Sequence, residues 1–126
     1  RLRFSVRSYE LQCHDLESQP WPFAAAAFGA IVVTNYLHRP LFAPLLAALK
    51  PGAILLYETF ARGNERFGKP SNPDFLLQPG ELLQRVQPTL RVIAYQNVYV
   101  DQPKPALVQR LCAINAQRVP EVAGMS

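Results

Sequence analysis

Three groups of polar residues stand at the ends of apolar runs, where side chains are best placed to do chemistry. Asp15-Leu16-Glu17 follows Tyr9–His14, Thr34–Arg39 follows a β-branched run, and Glu58–Arg66 follows another. In open parallel sheets ligands bind outside the carboxyl ends of the strands, so the shared placement says more than any one residue. Asp15 can accept hydrogen bonds from a ligand amino group, and it suits a turn or a helix cap equally well. Trp21 and Phe23 can stack on a flat ring or plug the space between strands. Asn35 ends a buried run, so its amide must find a partner, ordinarily the neighbouring loop backbone. His38, with an ordinary pKa of about 6.5, suits a general base or a loop-capping role. Glu58, next to Tyr57, suits a cationic or hydroxylated substrate or an ion pair with an arginine. Arg62, Asn64, Glu65 and Arg66 suit an anion-binding lid or a solvated loop.

The elements that must position these groups are legible in outline. Tyr9–His14 alternates in polarity as a short strand does. Pro20 and Pro22 forbid regular structure after it. Ala30-Ile31-Val32-Val33-Thr34 is a continuous run of the kind found in a central parallel strand. Leu41, Phe42, Leu45, Leu46 and Leu49 recur at helical spacing, which predicts a helix over Pro40–Leu49 stopped by Pro51-Gly52. Ala53–Glu58 is a second buried strand, completing a strand–helix–strand unit. An irregular stretch from Thr59 to Pro79 holds Phe60, Phe67, Phe75, Leu76 and Leu77, apolar enough to pack onto something. Pro79–Val86 predicts a short helix, and Leu90–Val100 and Ala106–Ala116 an antiparallel pair of strands. The expected architecture is an α/β sheet, mostly parallel, with a C-terminal antiparallel hairpin. It occupies residues 1–116, with a loose tail over 117–126.

Composition narrows the function classes. The chain has 126 residues, 49 % hydrophobic and 17 % charged, a globular mixture sized for one domain. No apolar run reaches membrane-spanning length. The net charge of +4 is spread along the chain, which makes nucleic acid an unlikely partner. Cys13 and Cys112 have neither metal-ligand nor disulfide-framework spacing, so free thiols, no metal and a cytoplasmic location are expected. Glycine-rich phosphate loops, Gly-x-Ser-x-Gly, Cys-x-x-Cys and His-Glu-x-x-His are all absent from the sequence.

The combined string resembles a known family. Asp15-Leu16-Glu17, Trp21-Pro22-Phe23 and Phe28–Leu41 look like the middle of a class I S-adenosylmethionine-dependent methyltransferase. Leu49–Phe60 is similar to that family's helix end, Pro-Gly turn and fifth strand. Asn64–Pro70, Asn72–Leu77 and Pro79–Leu83 resemble its small-molecule branch, which includes the tellurite-resistance methyltransferases. The resemblance spans Tyr9 to Asn115. It implies that Asp15 contacts the adenine amino group of S-adenosylmethionine, with Leu16 near the ring. Thr34 and Asn35 would lie beside the methionine part. Tyr36, His38 and Arg39 would border cofactor and substrate, with Tyr36 and His38 as the catalytic candidates. Arg39, Tyr57, Glu58 and Arg66 would line a small-molecule acceptor. The demand on the protein is to place the nucleophile close and aligned.

One departure is serious. The family's first strand, glycine-rich loop and ribose-holding acid have no counterpart, and Arg1–Ser8 does not replace them. The chain is therefore expected to be the C-terminal part of a longer enzyme and inactive alone, with the Tyr9–His14 strand lacking a neighbour. The alternative is a non-catalytic methyltransferase-like module that associates with itself or a partner through an exposed sheet face.

Overall fold

A computed structural model of the chain describes the backbone of residues 3–6 and 9–12 and all of residues 26–116. The elements are β1 (Arg3–Val6), β2 (Tyr9–Gln12), β3 (Phe28–Thr34), α1 (Phe42–Ala47), β4 (Leu49–Phe60), α2 (Glu81–Val86), β5 (Arg91–Val100) and β6 (Ala106–Ile114). Single 3₁₀ turns at Arg39–Leu41, Asn64–Arg66 and Pro73–Phe75 punctuate the connections.

The strands form one six-stranded sheet in the order β2-β1-β3-β4-β6-β5. The directions of its strand pairs correct the expectation of a mostly parallel sheet. Among the described strands only β3 and β4 pair in parallel; β1–β2, β1–β3, β4–β6 and β5–β6 are antiparallel. The cause is topological. The β5–β6 hairpin inserts its second strand beside β4, so β6 runs against both its neighbours. At the other side the β1–β2 hairpin adds antiparallel to β3. The expected isolation of the Tyr9 strand is corrected too, since β2 pairs with β1 and β1 with β3. A four-residue strand at Arg3–Val6 is too short to register as a periodicity.

The sheet is covered on one face by α1 and α2. Alternation puts Ile31 and Val33 of β3, Leu55 and Tyr57 of β4, and Leu111 and Ala113 of β6 into this layer, where Phe42, Leu45, Leu46, Leu82 and Val86 meet them. The opposite side chains leave Val32, Ile54 and Leu56 each about two-fifths exposed. β3 and β4 therefore alternate, unlike the strands of a sheet covered on both faces.

The helix ends earlier, and the strand starts earlier, than spacing predicts. α1 stops at Ala47 and β4 begins at Leu49, running through Pro51-Gly52. Asn115 explains this. Its side-chain amide donates to the Leu49 carbonyl at 3.0 Å, its backbone N–H donates to Ala53, and its carbonyl accepts from Gly52. The end of β6 thus draws the Pro-Gly turn into the sheet, with Gly52 at φ +84° taking a conformation open to glycine.

Candidate functional site

The carboxyl ends of β3 and β4 come together through their backbones. Thr34 stands opposite Glu58, and the Asn35 N–H donates to the Glu58 carbonyl at 2.9 Å. Asn35 turns the chain there at φ +55°, a left-handed conformation that asparagine tolerates better than most residues. Thr34 and Asn35 are both exposed, so the parallel pair ends in a polar, accessible edge.

Two tyrosines stabilise that edge from beneath. The Tyr57 hydroxyl donates to the Tyr36 carbonyl at 2.8 Å, and its ring stacks on Phe42 with centroids 5.4 Å apart. Tyr57 is 4 % exposed, and burial pushes its hydroxyl pKa well above the ordinary value. It is a neutral hydrogen-bond donor at any working pH. Tyr36 is equally buried, while His38 is half-buried where the chain enters the Arg39–Leu41 turn.

The other predicted residues part company. Glu58 lies on the sheet face away from the helices, where its carboxylate sits 3.3 Å from Arg110. Beside this pair, Val32, Thr34, Leu56 and Cys112 line a shallow cavity of about 560 Å³. Arg66 folds back on its own loop, donating to the Gly63 carbonyl at 3.3 Å and lying over the Phe67 ring. Asp15 and Leu16 lie outside the described residues, as do Cys13, Trp21 and Phe23.

Arg39 serves as a clamp. Its guanidinium donates to both carboxylate oxygens of Glu81, at 2.6 and 2.9 Å, and to the carbonyls of Asp74 and Leu76, each at 3.0 Å. Glu81 also accepts from Arg85 and from the Gln78 N–H. Burial alone would raise the Glu81 pKa, but hydrogen bonds from Arg39, the Gln78 N–H and Arg85 outweigh it and hold the carboxyl at about 2.

Sequence reasoning missed Glu81 and the buried amides of Gln109 and Asn115, and it gave Asn64 a lid role rather than the structural one it has. Gln109, fully buried, accepts from the Leu82 N–H and the Tyr95 hydroxyl and donates to the Gln78 carbonyl. Asn64 donates to the Pro70 carbonyl and accepts from the Leu107 N–H. Asn115 shapes the Pro-Gly turn. Only Asn64 carried a signal, as a polar residue in an otherwise irregular, aromatic-rich loop.

These contacts fold residues 61–77 over the carboxyl edge. Ala61 bridges to Leu77, Phe67 packs on Tyr99 at 5.4 Å, and Asn64 ties the loop to β6. Between loop and edge runs a groove of about 610 Å³ lined by Asn35, Phe60, Lys69, Asn72, Phe75 and Lys104. A smaller lobe of about 170 Å³ shares Asn35, Phe60, Pro70 and Phe75 and continues inward to Tyr36, Leu37 and Thr59. Among the described residues no three of His, Cys, Asp and Glu gather to hold a metal ion. No helix among them is long and apolar enough to cross a membrane.

No protein-family model and no curated protein matches the sequence. Solved structures do. An S-adenosylmethionine-dependent methyltransferase from Methanosarcina mazei superposes with a TM-score of 0.59 at 12 % identity, over 78 % of this chain and 64 % of that one. A variant of the 16S rRNA (adenine(1408)-N(1))-methyltransferase from Catenulisporales acidiphilia gives 0.47 at 15 % identity, over 75 % of this chain and 52 % of that one. The chain thus spans less than two thirds of the length of either, and over that span it shares the α/β fold of an S-adenosylmethionine-dependent methyltransferase.

Proposed function

We propose that this chain forms the acceptor-side part of a methyltransferase that moves a methyl group from S-adenosylmethionine to a small molecule. The observation that carries the proposal is the edge where β3 and β4 end: Asn35 at the mouth of a groove under a pinned loop, and Thr34 next to it, exposed toward the cavity on the open sheet face. The donor set fits one part of the cofactor. Thr34 and Asn35 offer a hydroxyl and an amide that suit the amino and carboxylate groups of its methionine part. Asp15 and Leu16 would hold the adenine, in keeping with the resemblance. When bound, the cofactor supplies an electrophilic methyl on a sulfonium.

The chain's own residues have ordinary tasks in such a reaction. Tyr57 fixes the Tyr36 carbonyl and with it the turn carrying Tyr36 and His38. His38 takes the acceptor's proton where the acceptor carries one. Arg39 acts on the acceptor side by holding the loop at Asp74 and Leu76, whereas Glu58 and Arg66 would have to turn away from Arg110 and Gly63 to reach an acceptor. Positioning is the main contribution, because an in-line displacement depends on distance and alignment. Because the chain covers 64 % of its structural neighbour, the activity is proposed for a longer parent protein, with this portion weak alone. The test offers the parent protein methyl-labelled S-adenosylmethionine and a panel of small acceptors. Label in a small-molecule product supports the proposal; a folded protein that labels none of them, and does not bind the demethylated cofactor, overturns it.

A second reading has one observation in its favour. Val32, Ile54 and Leu56 leave a half-exposed apolar strip beside the Glu58–Arg110 pair. A face bearing one acid and one base is complementary to itself under a two-fold axis, so a second copy of the chain would suit it. Light scattering that gives a monomer at all concentrations would count against that reading.

A further inference from the structure

The groove over the carboxyl edge is asymmetric in charge and polarity. Lys69 and Lys104 enter it from different elements, the loop after β4 and the β5–β6 turn. Among the described residues no carboxylate lines it. The acids nearest in sequence are committed elsewhere: Asp101 accepts from the Tyr99 hydroxyl at 2.6 Å, Glu65 accepts from the Gly63 N–H at 2.8 Å, and Asp74 lines the separate cavity with Arg39, Glu81 and Arg85. Among the described residues neither lysine is in an ion pair. Asn35, Ser71 and Asn72 add neutral polar groups to the same walls, and the Asn72 side-chain oxygen Oδ1 already accepts from the Asp74 N–H, which leaves its side-chain amide donors.

The interior is different. Phe60 and Phe75 form the sides and Leu37 and Tyr36 the end of the inner lobe. Phe75, 50 % exposed, lends an apolar face to the wall of both the groove and its inner lobe. The lobe, at about 170 Å³, is close to the roughly 150 Å³ that accommodates one benzene ring. The walls are preformed. Asn64 holds the Pro70 carbonyl, Arg39 holds those of Asp74 and Leu76, and Leu77 bridges to Ala61. A preformed apolar slot with a few polar groups at its mouth is what small-ligand sites share.

We infer that this groove binds a small organic anion: a flat apolar body between Phe60 and Phe75, and a carboxylate or phosphate head at Lys69 and Lys104. The inference rests on the proposed methyltransferase function, for which it names the acceptor class. The described residues that line the groove all fall within 35–104, so the 126-residue chain itself can be used. Saturation-transfer NMR titrations would compare phenylacetate, phenyl phosphate and the neutral phenylacetamide. At least one anion should bind about tenfold more tightly than the amide, the scale of one charge-assisted contact. The stronger of the two anions separates a carboxylate site from a phosphate site.

The double substitution Lys69→Gln with Lys104→Gln should remove that preference and leave phenylacetamide unchanged. Phe75→Ala should weaken all three probes. Both changes are at exposed positions, and circular dichroism checks that the fold is kept. Equal binding of amide and anions, an anion preference that survives the double substitution, or no binding by any probe would overturn the inference. Binding of S-adenosylhomocysteine to the parent protein is scored separately. Anion binding without cofactor binding would sink the methyltransferase reading and keep the groove; cofactor binding without anion binding would do the reverse.

Discussion

Arg39 and Glu81, 42 positions apart in the chain, meet through two hydrogen bonds of 2.6 and 2.9 Å. That pairing joins the turn after β3 to the start of α2 and, through the Asp74 and Leu76 carbonyls, pins the loop that roofs the groove. Glu81→Gln keeps the shape but leaves Arg39 and Arg85 without their charge partner. It should cost about 3 kcal/mol, the low end for breaking a buried pair because Arg39 is partly exposed. Urea unfolding measures it; a change under about 0.5 kcal/mol, the scale of an exposed pair, would contradict the clamp.

The same carboxylate sets a pH dependence. Its folded pKa of about 2 lies below the unfolded value of about 4.3, so its contribution is complete above that value and is lost as pH falls toward 2. Stability of the chain should decline between about pH 5 and pH 2, and the decline should be shallower in Glu81→Gln. Identical slopes for the two proteins would place the acid sensitivity elsewhere.

Gln109 satisfies three groups at once from a fully buried position. Gln109→Leu fills the space and strands the Leu82 N–H, the Tyr95 hydroxyl and the Gln78 carbonyl. A loss of about 3 kcal/mol is expected, since each buried orphan carries its own desolvation cost. Thermal or urea unfolding near wild type would show that water replaces the amide without penalty.

Gly63 sits at φ +107°, and a Cβ there would lie 2.5 Å from a Leu107 methyl. Gly63→Ala should therefore strain the left-handed backbone at a cost of about 1–3 kcal/mol and push the Leu107 side chain aside, loosening the loop's seat on β6. Limited proteolysis should then cut within residues 64–75 faster than in wild type. Unchanged cleavage would mean that the loop does not depend on this close approach.

Much of this architecture was legible because it is local. The strand–helix–strand unit at 28–60 shows in its apolar spacing, and the β5–β6 hairpin in two β-rich runs around Asp101–Pro105. The directions of the β3–β4 and β5–β6 pairs were legible, but that of β4–β6 was not, because nothing local in β6 says that it inserts beside β4. The extension of β4 back to Leu49 depends on Asn115, 66 positions away. The site divides in the same way. Thr34, Asn35 and Glu58 meet because they end neighbouring strands, which a strand pattern anticipates. Arg39 looked like a substrate ligand because its partner Glu81 lies in another element. Lys69 and Lys104 carried no joint signal, because only the folded loop brings them to one groove.

The central claim is that the edge at Thr34 and Asn35 belongs to an S-adenosylmethionine site, and isothermal calorimetry of S-adenosylhomocysteine against the parent-length protein tests it most directly. The account predicts saturable binding that weakens about tenfold or more when the Thr34 hydroxyl and Asn35 amide are removed by Thr34→Val and Asn35→Ala. It also predicts weak or no binding by the 126-residue chain alone. A folded parent protein that gives no binding heat and no displacement of labelled cofactor would contradict it.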